Sequence, residues 1–96
     1  MWGKLFLLSF ITIMINTSVQ AVEVNSMRIN GSIISIGDSE SSLLKKAGKT
    51  SIRHSVHINR NNQSCTAREY NYRIDLQEYR VYICYSKVFQ IDRINL

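Results

Sequence analysis

The chain has 96 residues, no proline, two cysteines and a net charge of +5 at pH 7. Since domains typically contain about 100–200 residues, this length supports one small domain and excludes a second. Basic residues are spread through the sequence, with a local patch only at Lys45, Lys46 and Lys49. This distribution is typical of a solvated surface and does not indicate a nucleic-acid partner; a weak attraction to anionic lipid or acidic polymers is the alternative.

Residues 1–21 have the three parts of a cleavable secretory signal peptide. Lys4 supplies the positive charge, an apolar run of eleven residues follows, and Ala21 ends a segment suited to signal peptidase. The run is too short to cross a hydrocarbon core, which needs about 20 residues. A buried helix or an uncleaved anchor is the alternative. We predict cleavage near Ala21 and a periplasmic or secreted protein, without a lipid anchor because Val22 and not cysteine follows.

Cys65 and Cys84 are the only cysteines, and both follow the predicted cleavage site. In an oxidising compartment two cysteines in a small domain indicate a disulfide. It would close a loop of about 20 residues and contribute about 3 kcal/mol in the chain-entropy description. The sequence does not distinguish pairing within one chain from pairing between chains.

The predicted mature chain divides into a short leader at 22–28 and a single domain at 29–96. Around Asn30-Gly31, apolar residues indicate one strand or a bent extended segment.

Residues 39–47 are predicted to form one short amphipathic helix. Ser39 is suited to cap its first turn, and Gly48 stands where a left-handed cap would end it. Leu43 and Leu44 share one face. A helix of this length is not stable alone, so we expect it to pack on a sheet.

The rest of the chain alternates apolar and polar residues with the period of a strand. We predict an α+β domain in which the helix covers one face of a three- to four-stranded antiparallel meander. The predicted strands lie at 52–58, 65–74, 79–85 and 88–94.

Two registers are open for the central hairpin. Pairing Cys65 with Cys84 directly also sets Glu69 opposite Arg80, which is a favourable cross-strand pair. The other register packs the core tyrosines better but separates the cysteines by about four residues, roughly 13 Å, beyond disulfide reach. A bulge would reconcile the two registers, and of the two we favour the disulfide.

The segment 37–50, with its glycine, polar cap and short helix ending in Ala47-Gly48, resembles the opening of an uncharacterised family of small Gram-negative periplasmic proteins, a domain of unknown function. More distantly it resembles the outer-membrane-assembly lipoproteins of the SmpA/OmlA or BamE-like group. The resemblance covers about 27–94, includes the segments 69–72 and 87–91, and implies a helix followed by an antiparallel sheet. Thr50 stands where that family often has proline, and the lipoproteins' anchoring cysteine is missing, so the assembly role does not transfer.

No residue pattern indicates an enzyme, a cofactor or a metal. His54 and His57 are three residues apart on a predicted strand, so they point to opposite faces and do not form a zinc site with the cysteines. The sequence has no phosphate loop, serine-nucleophile motif or convincing carboxylate pair. A small hydrolase would need a pocket that a domain of this size barely provides.

Arg73, Arg80 and Tyr82 are the best candidates for a binding surface. They fall on the less apolar face of the predicted sheet, and tyrosine and arginine are enriched at binding hot spots. Since tyrosine also has a high strand propensity, the five tyrosines are equally explained as parts of the sheet.

The sequence therefore predicts an exported, non-enzymatic binding or accessory module of the cell envelope. Its partner is expected to be a protein, with no nucleic acid and no stable membrane anchor. The alternative is an inhibitor that blocks an exported or foreign enzyme through the sheet face.

Overall fold

The computed structural model describes residues 20–96, and most of the predicted signal peptide lies outside this range. The described part is an antiparallel sheet structure with one short helix. Its elements are β1 (Ala21–Val24), β2 (Ser26–Ile29), β3 (Ser32–Ser35), α1 (Glu40–Ala47), β4 (Ser51–Arg60), β5 (Gln63–Ile74), β6 (Gln77–Cys84) and β7 (Lys87–Asn95).

The main sheet has five strands in the order β1-β7-β6-β5-β4. Strands β4 to β7 form the predicted meander, but the expected number of three to four strands is wrong because β1 adds a fifth strand along β7. The leader expected at 22–28 is therefore part of the folded domain. Its alternating valines suit a strand, and β7 would otherwise leave a row of unpaired backbone groups at the sheet edge.

A second, two-stranded sheet replaces the single strand expected at the start of the domain. Strands β2 and β3 form a hairpin in which Met27 lies opposite Ile34, and both side chains are buried. The turn between them is Asn30-Gly31, with φ of 52° and 76°. A two-residue hairpin turn needs positive φ at both central positions, which asparagine and glycine adopt most readily.

The helix agrees with its prediction. Ser39 caps α1 by accepting a hydrogen bond from the backbone N–H of Ser42 at 3.1 Å, and Gly48 ends it with φ of 82°. The helix packs against β3 and β7, and Leu43 is fully buried in the core beneath it.

Glu40 in the first turn of α1 holds the helix to the sheet. Its carboxylate accepts hydrogen bonds from the guanidinium of Arg68 and the hydroxyl of Tyr70, both on β5. Burial raises the pKa of Glu40, but these hydrogen bonds and the charge of Arg68 outweigh burial and hold the pKa below its usual value.

Strand β4 changes faces halfway along its length. Ile52 lies opposite the core residue Tyr70, whereas Val56 lies opposite Ala67 on the other face. A bulge between Arg53 and Val56 causes the change, and Ser55 within it has φ of 61°. A bulge adds one residue to one strand and so reverses the alternation of its side chains.

The cysteines lie at disulfide distance, with their sulfur atoms 1.96 Å apart and their Cα atoms 6.2 Å apart. The register differs from both predicted alternatives, because Tyr70 lies opposite Val81 and Arg68 opposite Ile83. Cys65 and Cys84 are therefore diagonal neighbours, offset by two residues, and no bulge between β5 and β6 is needed. Glu69 lies opposite Tyr82 in this register, not opposite Arg80 as we had expected.

Candidate functional site

The two faces of the five-stranded sheet differ in their covering. Helix α1 and the β2–β3 hairpin pack over one face and bury its apolar residues, including Tyr70, Tyr72 and Val81. No described element forms a second layer on the other face, which we call the open face. The open face carries Arg53 of β4, Glu69, Asn71 and Arg73 of β5, Glu78, Arg80 and Tyr82 of β6, and Gln90 and Asp92 of β7.

One end of the open face is apolar and the other is charged. At the apolar end, Tyr82, Cys84 and Ala67 are buried together, with Ile58 and Phe89 packed against them. Phe89 reaches this cluster because a second bulge lies where β7 pairs with Tyr82 and Ile83. Strict alternation along the predicted strand 88–94 would place Phe89 and Ile91 on one face, but Ile91 lies in the core under the helix and Phe89 does not.

The two outer strands of the sheet meet at this apolar end. Arg60, near the tip of the β4–β5 hairpin, forms an ion pair with Glu23 of β1. Because β1 and β4 are opposite edges of the sheet, this contact indicates that the sheet curls towards the open face here. The open face is therefore concave near the disulfide.

The three predicted binding residues lie on the open face, but they differ in exposure. Arg73 is exposed and lines a polar hollow of about 270 Å³ with Asn71 and Glu78. Arg80 retains 35% of its side-chain exposure. Tyr82 is only 7% exposed, so its ring packs within the molecule and does not project as an anchor. Burial, with the negative charges nearby, raises the pKa of the Tyr82 hydroxyl.

Glu69 lies where the charged end of the open face meets the apolar end, and its residue surface is only 1% exposed. Its carboxylate oxygens are 3.6 Å from Nη1 of Arg53 and 4.0 Å from Nε of Arg80. Oε2 of Glu69 has no hydrogen-bond partner among the described residues. Arg80 also contacts Glu78 at 3.1 Å. The buried carboxylate therefore attracts both guanidinium groups by charge, without a hydrogen bond to either one.

Sequence reasoning missed Arg53 as a member of this cluster. Regular alternation along β4 would place Arg53 on the face away from Ile52, Val56 and Ile58. The bulge at Ser55 instead brings Val56 and Ile58 onto the same face as Arg53. The sequence predicts a pairing of Glu69 with Arg80, but no sequence pattern indicates the burial of Glu69.

A cavity of about 500 Å³ opens at the apolar end, where the tip of the β4–β5 hairpin meets the β6–β7 turn. Ile36, Cys84, Val88 and Phe89 provide much of its wall, and Lys87 stands on its exposed side. No local sequence pattern indicates this cavity, because its walls come from three separate segments of the chain.

His54 and His57 are both exposed on β4, beside and beyond its bulge. Within residues 20–96, no group of three or more His, Cys, Asp and Glu side chains is placed to hold a metal ion. In the same range no helix is long and apolar enough to span a membrane.

Comparisons with protein-family models, with curated proteins and with solved structures find no match to this chain. The resemblance to small periplasmic proteins therefore stays a prediction from the sequence.

Proposed function

We propose that this protein is an exported, non-enzymatic binding or accessory module of the cell envelope, and that it binds a protein partner through the open face. The observation that carries the proposal is the pair Arg53 and Arg80 beside the buried Glu69, with the exposed Arg73 further along β5, on a sheet face that no described element covers.

The geometry suits recognition of a partner that presents carboxylates. Arg53 keeps 63% of its side-chain exposure although it faces Glu69, and Arg73 forms no ion pair within 4 Å with any described residue. Arginine binds carboxylates through two parallel hydrogen bonds. The charge of Glu69 draws Arg53 towards the sheet, which would reduce the side-chain entropy lost when Arg53 binds a partner.

The apolar end supports the same proposal. Interfaces combine an apolar centre with a polar rim, and the open face offers partly buried apolar residues beside its arginine cluster. An open face with polar residues alone would have argued against binding.

Site-specific photo-crosslinking in a Gram-negative host tests this proposal. A crosslinking amino acid is placed at position 73 or 53 on the open face and, as a matched control, at position 28. Arg28 is also an exposed arginine, but it belongs to the β2–β3 hairpin. We expect a discrete protein adduct from positions 73 and 53 only. Equal capture from position 28, or no adduct from any position, would contradict the proposal.

The same experiment separates the leading proposal from the inhibitor alternative. If the captured partner is an enzyme, its activity is measured with increasing amounts of the purified protein. Stoichiometric loss of activity that Arg73→Ala weakens would favour inhibition, whereas unchanged activity would favour an accessory role.

Export is tested by fractionation of the host and by intact mass with and without reductant. We expect a periplasmic product that begins near Val22 and gains two hydrogens on reduction. A cytoplasmic product that retains residues 1–21 would contradict export.

A further inference from the structure

The cavity beside the disulfide is distinct from the arginine cluster and has the properties of a small-ligand site. Its volume of about 500 Å³ lies within the range of roughly 300–1,000 Å³ typical of such sites. Ile36 and Val88 come from the helix side of the molecule, while Cys84 and Phe89 belong to the open face. The cavity therefore lies between the two apolar clusters at the end of the sheet.

The charged residues that line this cavity are both basic. Arg60 is neutralised by Glu23, which does not itself line the cavity. Lys87 is exposed and forms no ion pair within 4 Å with any residue in 20–96. An apolar cavity with an unpaired ammonium group at its opening is complementary to a ligand with an apolar body and one negative charge.

Tyr85 is a second, independent indication of a ligand. With Ser86 it forms the two-residue turn between β6 and β7, and these residues have φ of 55° and 62°. Such turns favour asparagine and glycine, because other side chains adopt this backbone region at a cost in free energy. Tyr85 is also 84% exposed, so packing does not compensate that cost. Unfavourable backbone conformations of this kind concentrate at functional sites, and Tyr85 lines the cavity.

We propose that this cavity binds a small aliphatic carboxylate of medium chain length. The chain lies against Val88 and Phe89, the carboxylate pairs with the ammonium group of Lys87, and the ring of Tyr85 covers the bound chain. This proposal does not rest on the arginines that carry the proposed protein interface.

The test is an NMR titration of the purified, disulfide-bonded protein with three probes of equal chain length: octanoate, octanol and octylammonium. We expect saturable shifts at residues lining the cavity with octanoate and binding at least about tenfold weaker for octanol, since one charge-assisted hydrogen bond is of that order. Octylammonium should bind more weakly still. Equal affinity for all three probes, or shifts without saturation, would overturn the proposal.

Lys87→Gln is compared with Lys45→Gln, which removes the same charge from an exposed site on the helix. Only Lys87→Gln should weaken octanoate binding, by about tenfold, and it should leave octanol binding unchanged. Equal effects of the two variants would mean that net charge alone attracts the probe, and the assigned site would be wrong.

Tyr85→Asn separates a structural role of Tyr85 from a ligand-binding role. Because asparagine tolerates positive φ, this variant should raise the melting temperature by several degrees. It should also weaken the binding of octanoate and octanol alike. A variant that binds octanoate as tightly as the natural protein would refute the role assigned to Tyr85.

Discussion

Glu40→Gln tests how strongly a single carboxylate holds the helix to the sheet. The glutamine keeps the shape of the side chain and removes its charge. In the folded protein Glu40 is 16% exposed, and its oxygens accept hydrogen bonds from Arg68, with Nε at 3.0 Å, and from Tyr70. Arg68 itself is 44% exposed, so water screens its attraction to Glu40.

The expected loss of stability follows from these exposures. A screened ion pair contributes at most about 1 kcal/mol, and the change from a charged to a neutral acceptor for the Tyr70 hydroxyl costs about 1 kcal/mol more. Glu40→Gln should therefore lower the free energy of unfolding by about 2 kcal/mol. In a domain of this size the melting temperature should fall by about 8–16 °C.

Thermal and urea unfolding of Glu40→Gln, Arg68→Met and the double variant measure the coupling free energy between Glu40 and Arg68 directly. Additive effects, within about 0.3 kcal/mol, would refute the assigned contact. Glu78→Gln is the matched control, because Glu78 pairs with Arg80 along one strand and joins no separate elements. Its expected cost is below about 1 kcal/mol, and a loss equal to that of Glu40→Gln would also contradict our reasoning.

The pH dependence provides a further check on Glu40. Its pKa in the folded protein is below the usual 4.5. The stabilisation is therefore complete above the unfolded-state pKa and is lost as the pH falls through the folded-state pKa. The stability difference between the natural protein and Glu40→Gln should be constant near neutral pH and should shrink below about pH 4.5. A difference that stays constant through acid would show that the charge of Glu40 is not responsible.

Three further changes test other parts of the fold by urea unfolding. Replacing Cys65 and Cys84 by serine should cost about 3 kcal/mol, and reductant should destabilise the natural protein but not this variant. Tyr72→Phe removes a hydrogen bond of 2.9 Å to the Gly48 carbonyl and should cost about 1 kcal/mol at pH 7. Burial, with a smaller effect of a neighbouring tyrosine, raises the pKa of Tyr72 to about 12. The neutral hydroxyl therefore stabilises the fold fully below the unfolded-state pKa of 10, and this contribution disappears as the pH rises to 12. The phenylalanine variant should lose less stability than the natural protein between about pH 10 and pH 12. Gly31→Ala should lower the free energy of unfolding by about 1 kcal/mol because of the φ of 76° alone, since no atom lies within 4 Å of the added methyl group. Gly31→Asn should lower it by less.

The sequence predicted those features whose causes lie within a few neighbouring residues. The helix has its cap at Ser39 and its terminator at Gly48, and the structure confirms both. The break between the predicted strands 79–85 and 88–94 likewise corresponds to the tight turn at Tyr85-Ser86. Asn30-Gly31 carried an equally local signal for a hairpin, and the strand prediction there was wrong because the turn was read as a bend within one strand.

The candidate site depends on pairing between strands, which the sequence does not encode locally. The bulges in β4 and β7 place Val56 and Phe89 on the open face, and a strict alternation misplaces Phe89 relative to Ile91. The burial of Glu69 likewise arises only when β4, β5 and β6 stand side by side. Arg73, Arg80 and Tyr82 therefore share the face on which the sequence places them, but Tyr82 is buried there.

The position of β1 connects the proposed export of the chain to its fold. Cleavage after Ala21 would remove the pair between Ala21 and Ile94 and keep the three pairs formed by 22–24. It would also keep Glu23, the partner of Arg60 across the curled end of the sheet. Cleavage a few residues later would remove both the edge strand and this ion pair, and would expose β7. Cleavage near Ala21 stays a prediction, and the fold adds only that a later cut would deprive the domain of its fifth strand.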